Sequence, residues 1–217
     1  MQLHWHRRNL RTRSNPALST AFAAAKRDDS RVVPLFVLDD AILKRADALG
    51  VAFMLGSLRE LRGRYRDHGS DLVIRHGDPT DIVGRVAEAL DVDRVVWNGD
   101  HSRLARERDR AVRRSLTRSG VPYASVPSER RPEASAATTP VDDPESYLAD
   151  AATLGIDTEP VPRLSDLGAV AADSTPLSVG TESARKRLDA LSRGTTYRRC
   201  DDDPPSVERR ETSPAWV

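Results

Sequence analysis

The chain predicts an α/β fold: a Rossmann-like, doubly wound parallel sheet of four or five strands with flanking helices, then an irregular linker and a short helical stub. Three observations carry this. Apolar runs of strand length alternate with stretches of helical periodicity through residue 126. One run, Arg31-Val-Val-Pro-Leu-Phe-Val-Leu38, is almost wholly apolar, as suits a strand buried on both faces. From Pro127 the pattern stops, and Pro, Ala, Ser, Thr and Asp dominate through Pro176.

Taken in order, Gln2 to His6 is a short extended start. Asn15-Pro16 then opens an alanine-rich helical stretch, Ala17 to Lys26. After the apolar strand, Val51 to His68 carries Phe53, Met54, Leu55, Leu58, Leu61 and Tyr65 near helical spacing, and Gly69 ends it. Asp71 to His76 reads as a strand. Asp78 and Pro79 cap and open a helix to Leu90. Arg94 to Asn98 is a strand, Ser102 to Arg118 a basic helix, and Val121 to Val126 a fifth strand after Gly120. Strands separated by such helices form βαβ units, whose ligands bind beyond the carboxyl ends of the strands. The loops after His6, Leu38, His76 and Asn98 are therefore the ones to watch. Residues 1–126 form the expected domain, and residues 127–217 the linker and stub, with a short helix at Thr181 to Ser192.

The composition excludes several classes. Thirty-four basic residues nearly cancel 33 acidic ones, against a chain-wide polyanion coat. No apolar run reaches the roughly 18 residues of a membrane span, so no membrane association is expected. The N-terminus lacks an apolar stretch after its charges, so no secretory leader is expected either. A cytoplasmic protein follows. Cys200 is the single cysteine, which leaves no internal disulfide, and the five histidines show no metal-ligand spacing. Only Lys26, Lys44 and Lys186 are lysines, so arginine supplies nearly all the positive charge. Residues 100–131 hold nine arginines and four acids, whereas 141–175 hold eight acids and Arg163. An acidic linker lying along the basic helix is the plain reading of that asymmetry.

Two stretches offer polar groups at strand ends: Trp5-His-Arg-Arg-Asn-Leu-Arg11, and Trp97-Asn-Gly-Asp-His-Ser-Arg103 followed by Arg106-Glu-Arg-Asp109. Their plain alternative is a solvated turn with helix caps at Asn15 and Ser102. No Gly-rich phosphate loop and no nucleophile elbow is present.

The order of these stretches resembles the N-terminal α/β domain of the DNA photolyase/cryptochrome family. That family opens Trp-Phe-Arg-x-Asp-Leu-Arg-x-x-Asp-Asn-x-Ala-Leu, against Trp5-His-Arg-Arg-Asn-Leu-Arg-Thr-Arg-Ser-Asn-Pro-Ala-Leu18 here. Val33-Pro-Leu-Phe-Val-Leu-Asp39, Phe53-Met-Leu-Gly-Ser-Leu58, Gly77-Asp-Pro79 and Trp97-Asn-x-Asp100 with Arg106-x-Arg-Asp109 continue the likeness through residue 118. Ser119-Gly-Val-Pro-Tyr123 is similar to a family segment that normally follows after a longer insertion. Gly180 to Ala184 resembles the opening of the helical flavin domain. Tyr197 sits like a flavin-contacting tyrosine, and Thr212-Ser213 like the start of a flavin loop. Relatives run to roughly twice this length and hold FAD in the helical domain, which supplies the electron chemistry on a flipped pyrimidine dimer.

The resemblance implies a truncated, light-dependent DNA-repair-type protein reduced mainly to its antenna-chromophore domain. It places a deazaflavin or flavin antenna at Arg7, Phe36, Leu38, Asp39, Asp100 and Arg108, and vestigial FAD contacts at Tyr197, Thr212 and Ser213. It implies no catalytic residue, and no FAD held by this chain alone. A separate FAD-domain chain would be the partner, with damaged DNA reached only through it. The chain departs from the pattern at Asn9 and Ser14, where the family has carboxylates. Leu104 and Ala105 replace the Asn-Glu of folate-binding relatives, which disfavours folate, and Val51 replaces an arginine common in deazaflavin-binding ones. The alternatives are a small nucleotide-binding regulatory module of the same fold and an inactive remnant.

Overall fold

The computed structural model describes residues 1–127, 141–167, 183–186 and 188–189. Five strands form one all-parallel sheet: β1 (Gln2–His6), β2 (Val32–Leu38), β3 (Val73–His76), β4 (Arg94–Gly99) and β5 (Tyr123–Pro127). Their order is β3-β2-β1-β4-β5. The chain winds outward one way from β1 through β2 to β3, then crosses to β4 and β5. The sheet is therefore doubly wound, and its carboxyl edge opens between the two halves.

Helices α1 (Pro16–Arg27) and α3 (Ala48–Asp67) cover one face, and α4 (Pro79–Ala89) and α5 (Arg103–Arg118) the other. Two apolar cores result. Leu3, Trp5, Leu35, Trp97, Val112 and Leu116 anchor the α4/α5 side. Leu18, Phe22, Leu55, Leu58, Leu61 and Ile74 anchor the α1/α3 side. Strand β1 alternates between them. Leu3 and Trp5 face the first core, while Gln2, His4 and His6 are buried as polar side chains on the second.

The elements begin and end where their termini are satisfied. Asn15 caps α1 by accepting from the Leu18 N–H, with Pro16 in the first turn. Asp47 caps α3 through the Gly50 N–H, so this helix starts three residues before its apolar periodicity does. Gly69 follows α3 at φ +74°, a conformation that costs glycine nothing and other residues about 1 kcal/mol or more. Strand β3 begins at Val73 rather than Asp71. The Asp71 carboxylate is held instead by Arg62 (2.8 Å) and Arg66 (3.0 Å) and accepts from the Leu72 N–H. A four-residue helix, α2 (Asp40–Leu43), follows β2 and is too short to leave a periodic signal.

The acidic stretch does not lie along α5 in its described part. Residues 141–167 run instead over the open edge of β3 and the α1/α3 side. The Ala149 N–H donates to Val32 O, and the Glu159 N–H to Ile74 O. Thr158 Oγ1 bridges Leu72 O and the Ile74 N–H. Arg62 and Arg59 donate to the Glu159 and Pro162 carbonyls. Leu148 and Ala149 are buried in the cores. The segment thereby occupies the edge that β3 would otherwise present to solvent. Composition marks it as linker-like, but these backbone bonds make it a sheet cover. Residues 183–186 and 188–189 are helical, within the predicted short helix.

Candidate functional site

A crevice of about 560 Å³ opens at the carboxyl ends of β1 and β2, within the range of small-molecule sites. Its two walls differ in chemistry. Phe36 and Leu38 from β2, Ile42 and Leu43 from α2, and Phe53 and Met54 from α3 form an apolar wall. Facing them are Arg7, Arg8, Asn9 and Arg11 from the loop after β1, with Arg108 reaching in from α5. Trp5 lies at the base, with the Arg7 and Arg108 guanidinium carbons 5.0 and 5.6 Å from its ring centroid. Phe53 is 48% exposed at the mouth.

The arginines are held by carboxylates. Arg7 pairs with Asp109, and both side chains are almost fully buried. Burial and the neighbouring Arg108 lower the Arg7 pKa, and Asp109 opposes them. Arg108 pairs with Asp39 at 3.2 Å. Arg8 reaches Asp100 at 3.1 Å with its own side chain 75% exposed. Burial pushes the Asp100 carboxyl up, but the Ser102 N–H and Arg8 outweigh it and hold the carboxyl below its usual range. Several donors stay unpartnered although buried: Arg7 Nε and Nη2, Asn9 Nδ2 and Arg108 Nε. A buried donor without an acceptor costs about 1–3 kcal/mol, so a ligand carrying acceptors gains from meeting them.

A second polar layer sits behind the loop. Asn98 on β4 donates Nδ2 to Asn15 Oδ1 at 2.6 Å and accepts from the Ala17 N–H, which ties the start of α1 to the sheet. Arg7 also donates to Asn98 O. On the α3 side, Tyr65 and His6 Nε2 are 2.6 Å apart, and His6 Nδ1 lies 3.1 Å from Asn9 O. Burial pulls the His6 imidazole down to about 4 and pushes the Tyr65 phenol up. The neutral ring therefore donates Nδ1–H to Asn9 O and accepts the Tyr65 proton at Nε2. This pair fixes the loop that carries Asn9 and Arg8.

Of the antenna residues named from the sequence, Arg7, Phe36, Leu38, Asp39 and Arg108 line this one crevice. Asp100 does not; it holds Arg8 and the N-terminus of α5. Asn15 and Asn98, both in the resemblance motifs, act in helix capping. Tyr197, Thr212, Ser213 and Cys200 lie outside the described residues, so the catalytic FAD site has no described counterpart here. The sequence marked neither Ile42 nor Leu43, and Asn9 only within the polar stretch after β1 and as a departure from the family pattern. Met54 and Phe53 carried a signal, as apolar residues early in a helix that follows a sheet-end loop. His6 and Tyr65 carried none. Among the described residues no group of three His, Cys, Asp or Glu side chains is placed to hold a metal. No helix among them is long and apolar enough to cross a membrane.

Fold and crevice define a doubly wound α/β domain with a cavity at the carboxyl ends of its strands. The DNA photolyase profile matches residues 2–143, and the chain belongs to that family. It is 38% identical over 227 residues to a deoxyribodipyrimidine photo-lyase of Halobacterium salinarum, covering 91% of this chain and 47% of that protein. The chain thus spans about half the length of that curated relative. Among solved structures it is similar to an archaeal photolyase from Sulfolobus tokodaii (27% identity, TM-score 0.53, 58% of this chain and 29% of that one). That structure is described as holding two FAD molecules, with the implication of a novel light-harvesting cofactor. A bacterial class III photolyase from Agrobacterium tumefaciens shares the fold at 21% identity and TM-score 0.66, over 89% of this chain and 44% of that one.

Proposed function

We propose that this chain is the antenna-chromophore domain of a photolyase-type protein and that its crevice takes a flavin. The observation that carries this is the pairing of an apolar wall with unpartnered buried donors, Arg7 Nη2, Arg108 Nε and Asn9 Nδ2, inside about 560 Å³. A planar ring packs on Phe36, Leu38 and Met54, while its carbonyls or phosphate meet the donors. The Sulfolobus relative, described with two FAD molecules, supports a flavin over a deazaflavin in this place. A flavin supplies near-UV and blue absorption when bound. This chain's residues supply position: Asp39 and Asp109 fix the two guanidinium groups, and Trp5 floors the site. Light-driven repair of damaged DNA then requires an FAD-bearing helical domain beside this one, and a separate chain in the cytoplasm is one way to supply it.

The test is a titration of the purified full chain with FMN, FAD and AMP, followed by flavin fluorescence and competition. Quenching by FMN or FAD, weakened at least about tenfold by Phe36→Ala (about 1.4 kcal/mol), is the expected result. Tight AMP binding without flavin binding would replace the antenna with a nucleotide-binding regulatory module. Binding of none of the three would leave the inactive remnant.

A further inference from the structure

The basic helix α5 remains outside the crevice apart from Arg108. Its buried stripe is Ala105, Asp109, Val112 and Leu116. At 3.6 residues per turn, Arg106, Arg110, Arg114 and Arg118 lie on the opposite face. All four are exposed and follow one another at four-residue intervals. Like charges at that spacing repel, by about 0.2–0.5 kcal/mol per pair. The natural neutraliser is absent among the described residues. Glu107 shares this face but is engaged by Arg103 at 3.0 Å, and the acidic residues 141–167 lie over β3 and α3. None of the four arginines has a carboxylate partner among the described residues. At the C-terminal end of the ridge, Arg113, Arg114, Thr117 and Arg118 line a shallow depression with Tyr123. Tyr123 is 38% exposed. Its ring lies 5.7 Å from that of Trp97, over which the Arg113 guanidinium sits at 5.8 Å. The aromatic is thus supported from below and open above.

We propose that the Arg106–Arg110–Arg114–Arg118 ridge with Tyr123 is a docking surface for single-stranded nucleic acid. Each step along the ridge advances about 6 Å, a scale that lets successive guanidinium groups meet successive phosphates of one strand. Arginine suits phosphate through its planar fork. A base that reaches the depression stacks on Tyr123 without regard to its identity, which is how sequence-tolerant single-strand sites work. A duplex offers the phosphates but not the unstacked base. The near-zero net charge of the chain matters little here, because the charge is segregated: α5 is basic, and the acidic residues 141–167 run along the β2/β3 half of the sheet. The surface stands on other residues than the crevice and does not depend on a chromophore.

The experiment is fluorescence anisotropy of the full chain with a labelled oligothymidylate of about a dozen nucleotides, beside a duplex of equal length and an acidic peptide as competitor. The expected log–log salt slope is about −2 to −3, from three or four phosphate contacts at about −0.7 each. Arg110→Gln lowers its magnitude by about 0.7. The triple variant Arg110→Glu/Arg114→Glu/Arg118→Glu reduces affinity at least about thirtyfold, and Tyr123→Ala at least about fivefold. Flavin binding is read in the same variants. Unchanged flavin binding with lost oligonucleotide binding supports the ridge as a separate surface. If charge reversal unfolds the chain by circular dichroism, the three Arg→Gln changes replace it. Oligonucleotide binding that survives either triple variant overturns the proposal. So does stronger binding of the duplex, or full competition by the acidic peptide at equal charge, which would assign the ridge to an acidic protein partner.

Discussion

Asp109→Ala is the most demanding test of the site's architecture. The Asp109 carboxylate is the only anion bonded to Arg7 among the described residues, and the Arg7 side chain is 3% exposed. Without it, the guanidinium keeps one hydrogen bond, to Asn98 O at 3.4 Å, and sits against a second cation, Arg108. Arginine cannot escape by losing its proton. Removing one partner of a buried pair costs about 3–5 kcal/mol. That is a large fraction of the 5–15 kcal/mol typical of a domain. At about 2–4 °C per kcal/mol for this size, Tm falls by roughly 6–20 °C. Urea unfolding gives the free energy directly, with a constant m-value as the check that compactness is unchanged. Asp109→Asn keeps the acceptor and loses less. The apolar double replacement, Arg7→Met with Asp109→Leu, recovers much of the loss, because neither charge is then stranded. A cost below about 1 kcal/mol for Asp109→Ala would falsify the reading of Arg7 as a buried charge held by this one carboxylate.

The remaining expectations concern the polar groups behind the crevice. His6 is neutral in the fold, with its imidazole pulled down to about 4 by burial, while the unfolded chain takes up a proton near 6.5. Its contribution is therefore complete above about pH 6.5 and is lost as pH falls toward 4, by about 3 kcal/mol in all. Burial of His4 acts in the same direction, so His6→Gln flattens the urea midpoint between pH 4.5 and 7 (values set by about these two pKa limits) only in part. A profile unaltered by His6→Gln would refute the assignment. Tyr65→Phe strands the His6 Nε2 acceptor and costs about 1–3 kcal/mol by the same unfolding assay. Asn98→Ala removes the acceptor of the Ala17 N–H and the donor to Asn15. Thermal unfolding should show a loss of about 1–2 kcal/mol, with hydrogen exchange faster in the first turn of α1 than elsewhere.

Strand and helix identity were legible because each βαβ unit repeats the same contrast between an apolar run and a capped amphipathic helix. Asp78-Pro79, Asn15-Pro16 and Ser102 marked helix starts that the structure keeps. What composition hid was long-range. Asp47 as a cap lies in a polar stretch without periodicity. Residues 141–167 look like a linker because their backbone bonds to β2 and β3 leave no sequence signal and their apolar contacts, such as Leu148 and Ala149, are scattered rather than periodic. The buried side of β1 was equally illegible. Gln2 to His6 read only as a short extended start, yet Gln2, His4 and His6 are buried on the α1/α3 side of a central strand. They are tolerated because Tyr65, Asn15 and the Asn9 carbonyl lie beside them. In the crevice, five of the six residues named from the resemblance line one cavity, but motif membership did not separate Arg108, which faces the cavity, from Asn98, which holds a helix.

The charge balance of the crevice narrows what it can hold. Three of its four arginines are already matched, Arg7 by Asp109, Arg108 by Asp39 and Arg8 by Asp100. Only Arg11 has no carboxylate partner among the described residues. A ligand with several negative charges in the cavity would therefore meet the lining carboxylate Asp39 and arginines already matched from behind by Asp100 and Asp109. One neutral ring with a single phosphate directed at Arg11 meets the donors without that repulsion. Asn9 sharpens the point. A carboxylate at this position would add a fourth negative charge, whereas the amide presents Nδ2 as an unpartnered donor. FMN should therefore bind more tightly than a dinucleotide that must crowd two phosphates near Asp39. Asn9→Asp should weaken FMN, by about 1.5–3 kcal/mol for a donor lost from a charge-assisted bond and replaced by a like charge. Equal affinity of the wild type and Asn9→Asp for FMN, at matched pH and salt, would show that the phosphate lies away from this loop.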